Sequence, residues 1–377
     1  MIIGIDGNEA NVDKRVGSNV FAYEVIKGIY EIEKVKKDKD SFVVYLKDKA
    51  KEDFPSETKW WKYKVIGPKK MWTRVALPVS LYLGDKCDVF FAPGHYGPRF
   101  CPCPLVISIL DTSYFDFDQY YKKNDLYQLR EWTKQSVERA EKIVTISKSS
   151  KKDIMKHYGK KDDEVVVCYP GYDKQKFNTR KKEQKKEIEE VKKKYKIDKD
   201  YIIYVGTLQP RKNIVKLIEA FNLIKIKERE LKLVVVGKRG WMYEEIFEKV
   251  KRLNLDSEVI FTGYVEDDEV GYLVAGAREY VLPSLYEGFG IPVVEAKSLG
   301  VVTVVSKNSS LEEVGGRSSI FIDDVDNVGE IEKGIEKGLN LNDKEKNEII
   351  RLGLKEVEEY SWEKCAEKIL YTLISFK

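Results

Sequence analysis

Short apolar runs alternate with amphipathic stretches along nearly all of this 377-residue chain, and charge breaks the pattern only once. In the first half, Ile2 to Ile5, Phe42 to Leu46, Tyr63 to Ile66, Asp88 to Phe91, Leu105 to Leu110, Lys142 to Thr145 and Val165 to Cys168 read as strands. Asn19 to Ile32 and Tyr127 to Glu141 read as helices between them. Strands that alternate with helices predict a parallel sheet covered on both faces. The almost purely charged run Arg180 to Lys186 interrupts the pattern, which then restarts at Tyr201 to Val205. Asn213 to Ile224 carries Ile214, Leu217, Ile218, Phe221 and Ile224 on one helical face. Further strands are expected at Leu233 to Val236, Val259 to Thr262, Tyr280 to Pro283, Val301 to Val305 and Ile320 to Ile322. Helices are expected near Tyr243 to Leu253, Asp267 to Ala275 and Pro292 to Leu299. The pattern divides the chain into an α/β domain at 1–175, a charged linker at 176–200, a second α/β domain at 201–358, and a closing amphipathic helix at 359–377 capped by Ser361.

Composition removes several function classes. A 42% hydrophobic and 34% charged chain has enough apolar material for packed cores. The net charge of +4 comes from interleaved acids and bases, which gives no basic footprint for nucleic acid. No run approaches the roughly 18 apolar residues of a membrane span, and the start lacks a signal-peptide pattern, so a cytoplasmic location is expected. The five scattered cysteines suit free thiols, and Cys101-Pro102-Cys103 lacks metal-site spacing. Two histidines in the whole chain argue against histidine-based zinc chemistry. Lys59 to Lys64 and Lys69 to Arg74 mix tryptophans with cations; partly buried tryptophans among solvated lysines explain this better than a lipid-facing surface does.

Two strand-to-helix loops carry the chemistry. In Gly206-Thr207-Leu208-Gln209-Pro210-Arg211-Lys212-Asn213, Gly206 lets the backbone turn, Pro210 stiffens the loop, and Asn213 is placed to cap the next helix. Arg211 offers a planar fork and Lys212 a point charge at a helix N-terminus, a combination suited to phosphate. The second loop holds Glu287, then Gly288-Phe289-Gly290 with open amides, then Glu295 one turn into a helix. A carboxylate accepts two hydrogen bonds from a vicinal diol, so the pair suits a ribose and a hexose. Gly17, after strand one, gives room for a phosphate to approach backbone. Gly237 and Lys238 end another strand, and Gly263-Tyr264-Val265 the next; both loops could line a base pocket or serve only as turns. Across from them, His95 and Asp111 follow strands of the first domain, and Asp111 could orient an acceptor hydroxyl or simply close a turn.

The order of Gly206 to Asn213, Gly237 to Trp241, Phe261 to Val265 and Pro283 to Ala296 resembles the large retaining glycosyltransferase family of the GT-B fold, the fourth in the usual numbering. Further matches are the Gly17 loop, Ile146 to Ser150, Tyr169 to Asp173 and Ser361 to Lys364, so the likeness runs over almost the whole chain. The resemblance implies two Rossmann-like domains facing a central cleft, with the C-terminal helix crossing back to the first. It implies that Arg211 and Lys212 hold the donor diphosphate, Glu287 the donor sugar and Glu295 the ribose. The backbone of Phe289, Gly290 and Ile291 would contact sugar and phosphates, and Gly17 would close over the diphosphate. Two positions depart from the family pattern. Leu110 precedes Asp111 where a histidine is usual, leaving His95 as a substitute contact, and Pro170 stands where asparagine is usual.

The expected activity is a metal-independent, retaining hexosyl transfer from a nucleotide-diphosphate sugar, with no cofactor, to a hydroxyl of a glycan or lipid-linked glycan at the inner membrane face. The Gly206 to Asn213 and Gly237 to Trp241 segments lean toward mannosyl members that use GDP-mannose, and so toward polysaccharide biosynthesis. A non-transferring sugar-nucleotide binder and another GT-B enzyme, such as an epimerase, are the alternatives.

Overall fold

Each of the thirteen runs read as strands is one in the computed structural model, which describes residues 1–84 and 86–377, with ends shifted by two residues at most. The chain forms two units, Met1–Gly171 with Tyr360–Lys377, and Tyr172–Glu359. In the first unit the strands are β1 (Ile2–Asp6), β2 (Ser41–Leu46), β3 (Trp61–Val65), β4 (Val89–Ala92), β5 (Leu105–Ser108), β6 (Lys142–Thr145) and β7 (Val165–Val167). They lie in the order β3-β2-β1-β4-β5-β6-β7, parallel throughout. β4 and β5 are buried along their whole length, as a sheet covered on both faces requires.

The second unit holds β8 (Tyr201–Val205), β9 (Lys232–Val236), β10 (Val259–Gly263), β11 (Glu279–Leu282), β12 (Val302–Ser306) and β13 (Ser319–Ile322). Their order is β10-β9-β8-β11-β12-β13, again parallel. The helix Ile214–Ile224 buries the stripe read from the sequence, Ile214, Leu217, Ile218, Phe221 and Ile224.

Two expectations are corrected. The stretch 176–200 is not a linker: it contributes helices Arg180–Glu183 and Lys185–Lys194 to the second unit. Ile188 and Val191 are buried there, and the Lys181 ammonium lies 3.7 Å from the centre of the Tyr272 ring. Its charges are the solvent face of an amphipathic pair. Asn213 does not cap its helix. It adopts left-handed backbone (φ 57°), and its amide donates to the Val325 carbonyl at 2.8 Å.

The C-terminal helix Trp362–Ile374 belongs to the first unit and packs along the helix Ser18–Val35. Gly28 permits this approach, since a Cβ there would sit 2.6 Å from that of Ala366. The tryptophans are packing residues: Trp61 and Trp72 are buried, and Trp60 stacks on Tyr30 at 5.1 Å. Among the described residues, no helix is long and apolar enough to cross a membrane.

Candidate functional site

Ligands of open parallel sheets bind beyond the carboxyl ends of the strands, where the strand order reverses. In the second unit that point lies between the neighbours β8 and β11. The loops leaving these two strands carry Arg211-Lys212 and Glu287, so topology alone brings together motifs 75 residues apart in sequence. The Lys212 ammonium donates to both Glu287 carboxylate oxygens, at 2.5 and 2.8 Å. Arg211 Nη1 donates to the Tyr286 carbonyl at 3.0 Å, and the Leu285 amide donates back to the Arg211 carbonyl at 2.9 Å. The two loops are therefore locked to each other by backbone and side chain.

Glu287 is almost fully buried. Burial alone would raise its pKa, but the charges of Lys212 and Arg211, with hydrogen bonds from Lys212 and Ser284, outweigh that and hold the carboxyl below its ordinary value. It is an anion that has lost most of its water and kept its proton acceptors. The Glu295 carboxylate lies on the helix Ile291–Ser298, which starts after Gly290 in left-handed backbone (φ 105°). Burial above all pushes up the pKa of Tyr280 in β11, with smaller contributions from Tyr204, Glu287 and Glu295.

The sequence reading missed the loop after β12. Ser309 Oγ accepts from the Glu287 amide at 3.0 Å. Ser310 Oγ donates to the carbonyls of Glu287 and Phe289, both at 2.8 Å. Ser306 and Asn308 both hold the Ser284 carbonyl. The only signal was the polar run Ser306 to Ser310 at a strand end, which reads equally well as an ordinary turn.

Gly206 and Gly237 serve close packing of the loops after β8 and β9. A Cβ at Gly237, where φ is 151°, would lie 1.9 Å from the Gly206 carbonyl oxygen. The Gly237 amide donates to Gly263 at 3.0 Å, which ties in the loop after β10. Lys238 is exposed beside these loops, whereas the Val265 side chain is buried.

In the first unit the strand order reverses between β1 and β4. Gly17 precedes the helix Ser18–Val35 with φ 55°, and a Cβ there would meet nothing within 4 Å. This backbone position favours glycine and faces open space. Glu9 accepts from Ser18 Oγ at 2.5 Å and from the Asn19 amide at 3.0 Å, and its carboxylate lies about 3.9 Å from where a Gly94 Cβ would be. The buried His95 Nδ1 has no hydrogen-bond partner. Burial lowers the His95 pKa, while Asp111 and Glu9 raise it. Burial outweighs the two carboxylates, so the pKa lies below its ordinary value. Asp111 accepts from Ser113 N at 3.1 Å and Ser113 Oγ at 2.8 Å, so it closes a turn. Leu110, in the place of the usual histidine, is buried. Glu9 is the functional candidate here that sequence reading passed over.

Comparison with known proteins gives the family and the fold. Residues 185–353 match the family described as glycosyl transferases group 1. O-antigen chain mannosyltransferase B of Escherichia coli is 31% identical over 286 residues, covering 73% of this chain and 72% of that protein. The serotype-specific mannosyltransferase WbdA of Escherichia coli is 28% identical over 242 residues, 63% of this chain but only 29% of that longer protein. Among solved structures, Anabaena HepE in complex with UDP and glucose aligns over 99% of both chains, with a TM-score of 0.74 and 16% identity. The chain belongs to the glycosyl transferases group 1, and its two parallel α/β sheets are those of the GT-B fold.

Proposed function

We propose that this glycosyltransferase moves a hexose from a nucleotide-diphosphate donor to a hydroxyl of a glycan or lipid-linked glycan, with retention of configuration and with mannose from GDP-mannose as the donor. One observation carries the reading: the cationic loop and the acidic loop flank the strand reversal of the second sheet and are joined there through Lys212 and Glu287. In this scheme Arg211, Lys212 and the uncapped start of the helix Ile214–Ile224 receive the negative charge that develops on the departing diphosphate. Those protein cations supply the counter-charge, so the scheme calls on neither metal nor cofactor. Glu287 and Glu295 accept hydroxyl hydrogen bonds from the donor, Glu287 from the hexose and Glu295 from the ribose. Gly206, Gly237, Lys238, Val265 and the backbone from Gly288 to Ile291 shape the rest of the donor pocket, and Gly17 leaves room for phosphate.

As the glycosidic bond to the phosphate breaks, the sugar acquires oxocarbenium character. With no nucleophile assigned on its far face, the acceptor hydroxyl attacks from the side the diphosphate leaves, and the diphosphate takes its proton. His95, neutral and with Nδ1 unpartnered, is assigned to the acceptor hydroxyl together with Asp111. Mannose is supported by the names of the E. coli relatives, both mannosyltransferases. The test is nucleotide-diphosphate release across GDP-, UDP-, ADP- and dTDP-sugars, with product configuration read by NMR. GDP release from GDP-mannose and an α-linked product are expected. Release from another donor would replace the sugar, a β-linked product would remove retention, and binding without turnover would make the chain a sugar-nucleotide binder.

A further inference from the structure

The first unit contains a second cationic feature that the donor chemistry does not use. A shallow recess of about 20 Å³ lies between the segment Thr73-Arg74, the loop after β4 and the helix Lys123–Arg139. Arg74, Arg99 and Arg139 line it, with Tyr96, Trp132 and Gln135, and no carboxylate is among its lining residues. Among the described residues none of the three guanidiniums is ion-paired. Arg74 lies over the Trp132 ring at 4.0 Å, and Arg99 and Arg139 lie within 5.5 and 5.0 Å of the Phe100 ring. The loop is fixed by the Gly97 amide, which donates to Ser136 Oγ at 3.1 Å.

The choice of residue is telling. Of the 67 cationic side chains, 13 are arginine and 54 are lysine, yet the recess holds three arginines and no lysine. A point charge for solubility is served by either residue. A planar fork that pairs bidentately with tetrahedral oxyanions is served only by arginine. Three like charges drawn from three chain segments line one recess, an arrangement that a bound anion would favour.

We propose that Arg74, Arg99 and Arg139 form a binding site for a phosphate or diphosphate group. Such a group could be carried by a lipid or be free in solution, and the surroundings favour the lipid. Arg74 leads into the helix Ala76–Leu83, whose outer face exposes Val79, Tyr82 and Leu83, with Val75 before it and Phe100 across the recess. From Lys64 to Gly84 the sequence has four cations and no acid. Apolar residues beside cations suit the surface of an anionic bilayer. Tyr96 joins the recess to the first-unit candidate site, since its ring meets that of His95 at 6.4 Å. The anion site stands on the first unit alone and does not depend on the donor assignment.

The test uses the full chain and two probes. Vesicles of phosphatidylglycerol and phosphatidylcholine, against phosphatidylcholine alone, report lipid phosphate by co-sedimentation. Inorganic pyrophosphate in calorimetry, on the full chain carrying Arg211→Gln and Lys212→Gln so that the donor loop does not compete, reports the free anion. Arg74→Gln, Arg99→Gln and Arg139→Gln should each weaken binding roughly fivefold, and the triple variant roughly a hundredfold. The triple Arg→Lys variant keeps the charge but loses the fork, and it should recover only part of the affinity. Lys37→Gln/Lys62→Gln/Lys152→Gln, which removes equal charge from exposed positions elsewhere on this unit, should change binding little. Val79→Ser/Leu83→Ser should weaken vesicle binding and leave pyrophosphate binding intact. Pyrophosphate binding without vesicle binding would keep the site and make its ligand a soluble phosphate. Equal losses in the arginine and lysine triples, or no binding of either probe by a chain with unchanged melting, would overturn the proposal.

Discussion

Replacing Lys212 by methionine should destabilise the second unit because it strands a buried anion. The two side chains are only 15% and 10% exposed, and the ammonium holds both carboxylate oxygens within 2.8 Å. Removing one partner of such a pair costs about 3–5 kcal/mol. The Ser284 hydroxyl and the charge of Arg211 remain beside Glu287, so the low end, about 3 kcal/mol, is expected. For a unit of this size that lowers the melting temperature by roughly 6–12 °C. The pair should also leave a pH signature. The depressed pKa of Glu287 contributes stability that is present above the ordinary value of 4.5 and lost as pH falls through the folded value. With Lys212 gone the carboxyl shifts upward, so the gap between wild type and Lys212→Met should be wide at pH 7 and narrow toward pH 4. Glu287→Gln added to Lys212→Met should restore most of the loss, because it removes the stranded charge. Thermal unfolding of the four proteins of this cycle, at several pH values, is the assay. A melting temperature within about 1 °C of wild type at neutral pH, or a double variant as unstable as the single, would refute the reasoning.

Other consequences follow from single positions. Glu279, at the start of β11, is buried with neither carboxylate oxygen hydrogen-bonded, and burial raises its pKa well above the ordinary value despite Arg278 and Lys346. Stability tied to that raised pKa is full below pH 4.5 and falls as pH rises, so Glu279→Gln should stabilise the protein by roughly 1–3 kcal/mol at pH 7 and by little at pH 4, measured by denaturant titration. Gly237→Ala would drive a methyl group into the Gly206 carbonyl, and a loss of roughly 3 kcal/mol is expected by the same titration. His95→Phe should fill its buried place without unfolding the first unit, yet cut turnover with an acceptor about a hundredfold while leaving nucleotide affinity unchanged. Parallel kinetics and calorimetry would show either result.

Much of this was legible in the sequence, for physical reasons. Parallel strands buried on both faces must be continuous apolar runs, and so β1 through β13 stood out. The Arg211 and Glu287 loops were visible because each mixes glycine, proline and charge at a strand-to-helix junction. Their contact was not visible, because strand order is a tertiary property: β8 and β11 become neighbours only once the sheet is wound. The helix Ala76–Leu83 gave no signal, since its outer face is as apolar as its inner one. The charged stretch 176–200 misled in the opposite way, because lysine stems cover apolar surface while their heads reach water. Asn213 looked like a cap, but the loop turns it toward Val325. The serines after β12 act through hydrogen bonds to the Glu287 loop, more than twenty residues away, which no local pattern encodes.

Steady-state kinetics of donor turnover in Arg211→Gln and Glu287→Gln test the central claim most directly. If the joined cationic and acidic loops stabilise the departing diphosphate and hold the sugar, each variant should lower kcat/KM by roughly 10²–10³ when assayed well below its own unfolding midpoint, which Glu287→Gln lowers by breaking the pair with Lys212. Turnover near the wild-type value in both variants would contradict the account.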